Sequence, residues 1–215
     1  MTATITLFSP VTTRKQAEAI TGPLSEPSKM PGYGYGLSAE HCITGAALAK
    51  IPGSVCHGCY ALKGNYQWKG VKAAHARREA SLHHPQWVDA MVFQIEHTGT
   101  RWFRWHDSGD LQGVWHLENI CEVARRLPDV NFWLPTREKK LVRDHRALFG
   151  EHPRNLVIRV SAAMVDGPPP AGFEHTSTVL SSGEPSCPAP RQGNFCGTCR
   201  ACWDPGVTNV SYHKH

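Results

Sequence analysis

The chain lacks any stretch approaching the roughly 20 consecutive apolar residues of a membrane span, so no membrane partner is expected. Its amino terminus, MTATITLFSPVTTRKQ, lacks the basic segment and apolar run of a secretory leader, which predicts a cytoplasmic protein. Charge is sparse as well. Charged residues make up 19%, and 23 Lys and Arg against 18 Asp and Glu leave a scattered +5. A balance so modest does not by itself imply nucleic acid. No internal repeat is present, which excludes a solenoid. A hydrophobic content of 40% over 215 residues fits one folded domain spanning 1–215, with neither disordered nor fibrous composition.

Cysteine is abundant, with eight residues clustered in sequence. In a reducing cytosol such clusters are more often metal or cluster ligands than disulfides.

Three textures follow one another along the chain: a Gly/Pro-rich first third, a centre alternating helix-like and strand-like patterns, and a Cys/Pro/Gly-rich end. In VWHLENICEVARRL, Val114, Leu117, Ile120, Cys121 and Ala124 fall at steps of three and four, one apolar helix face. Asp110 or a near neighbour suits its cap. RWFRWH before it alternates as a strand; VNFWLPT, the helical EKKLVRDHRALFG and the strand NLVIRVSA come after it. KAAHARREASL and PQWVDAMVFQIEHTG predict two more helices upstream, and STVLSS and TNVSY two late strands. Such alternation argues for parallel pairing in an α/β barrel or open sheet, with functional loops at the carboxyl ends of the strands. HDSGD, PTRE and SAAMVDG then share one rim.

In the tail segment, about 187–204, Cys196-x2-Cys199-x2-Cys202 follows Cys187, which is itself followed by Pro188. Three thiolates in such a run can wrap three corners of a [4Fe–4S] cubane, with a remote cysteine at the fourth. Tetrahedral zinc is the alternative, though zinc usually uses two separated C-x2-C knuckles. Cys42, Cys56 and Cys59 form a second set, in an amino-terminal loop of about 42–59. Three ligands on a cubane leave one iron open to substrate or cofactor; zinc completed by His41 or His57, or a cluster closed by a fourth protein ligand, are the other readings. Cys121, on the apolar helix stripe, reads as core packing.

His106, Asp107, Ser108 and Asp110 are candidate catalytic residues, because polar side chains crowded at a strand end suit hydrogen bonding and proton movement. Turn formation and helix capping explain them equally well. Thr136 and Arg137 are candidates for cofactor binding, arginine suiting a carboxylate or phosphate, although surface ion pairing is the more common fate of a lone arginine. PGYGYG reads as a loop permitting close backbone approach to a ligand, without the spacing of a nucleotide fingerprint. Lys63, Lys69, Lys72, Arg77 and Arg78, interleaved with Tyr66 and Trp68, are compatible with a nucleic-acid partner but fit a solvated helix face better. His213, near the end, is a possible metal ligand that needs no function.

SEPSKMPGYGYGLSAEHC, CHGCYALKGNY, FRWHDSGDL, FWLPTR and the closing CRACWD resemble a family of phage-encoded proteins named by gene-product number, from about Ser28 to the end. That resemblance implies the cytoplasm of a host cell. More widely, CHGCYA is similar to the second half of the cluster loop of radical S-adenosylmethionine enzymes. This likeness implies Cys42, Cys56 and Cys59 as ligands, Tyr60 beside the last of them near the cofactor, and S-adenosylmethionine on the open iron. Here thirteen residues separate Cys42 from Cys56.

The combined expectation is an α/β protein, an incomplete or distorted radical-SAM-like (β/α) barrel with a Cys-rich C-terminal extension. Two [4Fe–4S] clusters are expected, one with an open iron doing redox or radical chemistry on a small molecule, the partner being a small-molecule substrate or a redox partner. The rival expectation is a non-catalytic iron–sulfur sensor or zinc module contacting nucleic acid or a host protein.

Overall fold

The computed structural model describes residues 8–214; the first seven residues of the stretch read for a leader lie outside them. Six strands form the sheet: β1 (Tyr33–Tyr35), β2 (Trp102–Trp105), β3 (Asn131–Thr136), β4 (Leu156–Ser161), β5 (Thr176–Leu180) and β6 (Asn209–His213). Each pairs in parallel with the next, in sequential order, and the sheet is open, with β1 and β6 as its edges.

Parallel neighbours need long crossovers. Helix α1 (Arg14–Thr21) precedes β1; α2 (Ile43–Ala49), α3 (Lys69–Ser81) and α4 (Trp87–Thr98) join β1 to β2; α5 (Val114–Arg126) and α6 (Lys139–Phe149) make the next two connections. The predicted helices and strands of the centre thus form where their periodicity placed them. The Cys-rich segment is a different matter. It lies between β5 and β6, so it is a crossover within the sheet and not an extension beyond it.

Alternation along the strands sorts side chains to two faces. Phe103, Trp105, Phe132, Leu134, Ile158 and Val160 point to the helical layer, where Met91 and Ile95 of α4, Leu117, Ile120 and Cys121 of α5, and Val142 of α6 close the main core. Each such side chain, fully buried, is worth about 1.5–3 kcal/mol. On the opposite, inner face, Trp133 and Val210 pack against Cys202 and Trp203, joined by Trp102, Tyr212 and Cys187. Trp203 meets Trp102 and Trp133 edge-on, at centroid separations of 5.9 and 5.1 Å, and its indole N–H donates to Phe103 O at 2.9 Å. The tail segment thereby covers one face of the sheet as the helices cover the other.

Three local expectations are corrected. PGYGYG contains β1, and its glycines serve strand approach, not ligand approach. A Cβ at Gly32, whose φ is +71°, would lie 1.9 Å from Trp102 O, and one at Gly34 would lie 3.0 Å from Arg104 O. Asp110 does not cap α5, whose cap position is Gly113, without a side-chain bond. Arg78 is no solvated residue: it is buried, donates to Gly36 O, Pro23 O and Ser25 Oγ, and lies 4.8 Å from the Tyr35 ring centroid. Among the described residues no helix is long and apolar enough to cross a membrane.

Candidate functional site

A cavity of about 730 Å3 opens on the inner face at the carboxyl ends of the strands. Its wall contains Asp107, Ser108 and Asp110 after β2, Thr136 and Arg137 at the end of β3, and Ser161 and Ala162 at the end of β4. The three segments expected to share a rim do meet there.

Cys42, Cys56 and Cys59 line the same cavity. Ser38 opens a short 3-10 turn by accepting the Glu40 amide, and Cys42 ends that turn and begins α2. The first turn of α2 is pinned by Thr44, whose amide and hydroxyl both donate to the Glu138 carboxylate at 2.7 Å, a negative group favoured at a helix start. The Val55 amide ties the next stretch to Ala163 O at 2.9 Å, which brings Cys56 to the end of β4. Gly58, with φ +76°, turns the chain so that the Cys59 amide reaches Cys56 O at 3.1 Å. Gly45 leaves room for the sulfurs: its Cβ would lie 3.6 Å from Cys42 Sγ and 3.7 Å from Cys56 Sγ.

Burial pushes the Cys42 thiol up to about 12, with Asp110, Cys59 and Cys56 adding to the effect. Burial also raises Cys56, partly offset by the adjacent Arg137 guanidinium. Protonated at neutral pH in isolation, such thiols become anionic only beside added positive charge, which a metal centre supplies on binding. All eight cysteines are free thiols.

The four rim residues divide by role. Asp110 is buried and fully engaged, its carboxylate accepting the Leu111 amide at 2.8 Å, the Thr136 hydroxyl at 2.5 Å and the Arg137 amide at 2.8 Å. Burial raises it to about 6 even so. It joins the β2 loop to the β3 loop. Ser108 donates to Leu37 O at 2.7 Å and meets His75 Nε2 at 3.3 Å, a structural tie. His106 adopts φ +52° and is 3% exposed; both ring nitrogens lack partners, and burial pushes its pKa well down. Asp107 accepts the Tyr66 hydroxyl at 3.3 Å and keeps a buried Oδ1 without a partner. Tyr60 reaches the same loop, its hydroxyl donating to Asp107 O at 2.7 Å. Arg137 donates to Ala162 O at 2.6 Å.

Of the tail cysteines, Cys187 and Cys202 pack on the inner face. The Cys187 amide bonds Ser211 O at 3.0 Å, the Cys196 amide Lys29 O at 2.9 Å, and the Cys199 amide Cys196 O at 3.0 Å. Cys202 Sγ meets the Tyr212 hydroxyl at 3.1 Å. Burial pushes the Cys202 thiol up to about 11. Fully buried Arg159 organises this segment, donating to the carbonyls of Ala201, Cys202 and Asp204 at 2.7, 3.0 and 3.0 Å.

The structure brings forward residues that sequence reasoning passed over: Arg104, Trp133 and Tyr212 in the cavity wall, and Arg159 beneath it. Their signal was the alternation of RWFRWH and LVIRVS, which sets Arg104 and Arg159 opposite the apolar face. Of the histidines, His41 Nδ1 pairs with Glu79, His57 Nδ1 faces Ala49 O at 3.1 Å, and His213 Nδ1 faces Lys214 O at 2.9 Å. Cys121 lies in the main core. Its sulfur groups with Glu118 and His145, ligand atoms all within 4.8 Å. Arg125 bonds both Glu118 oxygens, at 2.9 and 3.3 Å, and His145 one of them at 2.8 Å, so that carboxylate is already taken by protein donors.

The family model described as Gene product 88 matches residues 10–184. This range begins before Ser28, includes Cys42, Cys56 and Cys59, and ends short of the closing CRACWD. No curated protein and no solved structure matches the chain.

Proposed function

We propose, from the premise that this chain belongs to the Gene product 88 family, that it is an iron–sulfur protein with two centres. Cys187, Cys196, Cys199 and Cys202 would hold one closed [4Fe–4S] cluster, and Cys42, Cys56 and Cys59 a second with one iron open toward the cavity. The observation that carries this reading is the convergence of three free thiols, one at the start of α2 and two from a single turn after it, on the wall of a large cavity at the strand ends.

A cluster with an open iron supplies electrons singly and a coordination position for a ligand. The chain's own residues do the rest. Arg137 beside Cys56 favours the thiolate. Asp110 fixes the β2 and β3 loops against each other. Asp107, with one unpartnered oxygen, is the proton-accepting group of the rim. Tyr60 and Tyr66 hold its loop through Asp107 O and Oδ2. Ser108 and Asp110 are positioning residues in this account. S-adenosylmethionine is the first cofactor to test, supported by the CHGCYA likeness and by six parallel strands in the sequential order a (β/α) barrel uses.

Anaerobic purification tests the reading. A brown protein with about eight irons and eight sulfides supports it; a colourless protein with stoichiometric zinc replaces it with a binding module. Cleavage of S-adenosylmethionine by the reduced protein, or a changed cluster spectrum on its addition, tests the radical branch separately.

A further inference from the structure

We propose that the cavity takes a small molecule bearing an oxyanion, carboxylate or phosphate, and that Arg104 on the cavity wall receives it. This deepens the reading above and rests on it for the cavity's identity as a reaction site.

Lys63, Arg104, Arg137 and Lys214 line the cavity. None forms an ion pair among the described residues. Two carboxylates share the wall. Asp110 is occupied by three donors, and Asp107 receives Tyr66. These donors are neutral and leave both carboxylates their charge, so four cationic side chains against two carboxylates leave the wall net positive.

Arg104 is the best placed of them. Its guanidinium lies 4.5 Å from the Trp133 ring centroid, which fixes its plane. Two of its acceptors are poor, Met30 Sδ at 3.4 Å and His106 O at 3.5 Å; the Tyr60 hydroxyl is a third partner, and the Asp107 carboxylate acts on its charge. Nε is buried and has no partner. A guanidinium carries five donors in a planar fork, and leaving them so weakly matched away from water is costly. An oxyanion satisfies the fork in pairs and supplies the missing charge. The volume, about 730 Å3, is that of a site for a metabolite or nucleotide-sized molecule. Exposed Lys63 and Lys214 at the wall would draw an anion in, an attraction that salt weakens.

Asp107 and the tail cysteines are the rival sources of negative charge, because Asp107 acts on Arg104, and Arg104 on Cys196 and Cys202. The cavity is favoured because Cys202 Sγ already has the Tyr212 hydroxyl at 3.1 Å, while Arg104 borders open volume.

The test uses cluster-loaded full-length protein, with iron and sulfide measured on the same sample, titrated calorimetrically with pyrophosphate and separately with citrate. Saturable binding of pyrophosphate or of citrate is expected, identifying phosphate or carboxylate as the group recognised. Arg104→Gln should weaken it at least about tenfold, and Arg104→Lys should recover part of the loss. Lys63→Ala and Lys214→Ala, at exposed positions, should each weaken it about threefold in low salt and less in high salt. Unchanged affinity in folded Arg104→Gln overturns the proposal, as does the absence of saturable binding by loaded protein. Intact anion binding with a shifted reduction potential of the tail centre also overturns it, assigning the arginine to the tail cysteines. If Arg104→Gln does not fold, the lysine variants decide, and unchanged affinity in both overturns the proposal. A sample without iron or sulfide that still binds the anion through Arg104 would refute the cluster reading while supporting this one.

Discussion

The two cysteine sets share a ligand chemistry and differ in what holds their backbone. Cys42, Cys56 and Cys59 lie on turns tied to loops: α2 is pinned by Glu138, and the Val55 amide reaches Ala163 O. Cys187 and Cys202 lie against the sheet itself, one through Ser211 of β6, the other through Arg159 of β4 and Tyr212 of β6. One set borders a cavity; of the other, Cys187 and Cys202 pack on the inner face with Trp203, while Cys196 and Cys199 are half-buried among exposed neighbours. The family match spans the first set and ends before the second. Tying a ligand set to the sheet would make its metal a structural element, whereas placing one on a cavity wall leaves a position for chemistry. The proposed division into a closed and an open centre is that difference stated as function.

Deleting each set in turn is the strongest way to break the comparison. Replacing Cys196, Cys199 and Cys202 together by Ala should remove about half the iron and lower stability by several kcal/mol, because metal-binding energy at a site tied to the sheet is folding energy. Replacing Cys42, Cys56 and Cys59 should also remove about half the iron, yet shift thermal unfolding far less. Equal losses of Tm, followed by circular dichroism on anaerobic samples, would erase the distinction.

Arg159→Leu comes next in size. It strips donors from one buried and two part-buried tail carbonyls and nearly keeps the volume, so a cost of about 2–3 kcal/mol is expected, read from urea unfolding. The comparison sharpens if limited proteolysis then cuts the 187–204 segment first while the cavity loop stays protected.

How much of this was legible in the sequence depends on whether the signal was local. Periodicity placed α3 to α6 and β2 to β6, because buried faces repeat at 3.6 or 2 residues. It missed β1, where Gly32, Gly34 and Gly36 mask a strand that needs glycine to let β2 approach. It missed α2, a seven-residue helix with no buried residue and hence no apolar stripe. The spacing of both cysteine sets was visible, and so were the rim residues. The use of Asp110 as a tie between loops was not, since Thr136 is 26 residues away. Arg104 and Arg159 looked like lone charges within strands; only the covered inner face gives them work, and that cover arrives from a crossover late in the chain.

Gly45→Ala probes the cavity set alone. The added Cβ would fall 2.9 Å from Cys42 Cβ, a contact that forces Cys42 to move. Alanine is worth up to about 1 kcal/mol over glycine in a helix, so global stability should change by no more than about that amount in either direction. Iron bound by the cavity set should fall while the tail iron stays. A variant that keeps full iron content would mean that Cys42 either yields without consequence or is no ligand, and would count against the three-thiol centre.

Tyr212→Phe makes the smallest change and addresses the boundary between the two regions. Tyr212 lines the cavity and sets its hydroxyl 3.1 Å from Cys202 Sγ, so it touches both. A neutral hydrogen bond of this kind contributes about 1 kcal/mol, and its loss should lower stability by no more than that. The hydroxyl can also donate to a thiolate, and hydrogen bonds to cysteine sulfur raise a cluster's reduction potential. The phenylalanine variant should therefore lower the potential of the tail centre and leave that of the cavity centre unchanged, as read by redox titration followed by electron paramagnetic resonance. A shift in both would show that the hydroxyl serves the two centres alike. A shift in the cavity centre alone would reverse the assignment of Tyr212 to the tail and, with it, the boundary drawn between the two sets.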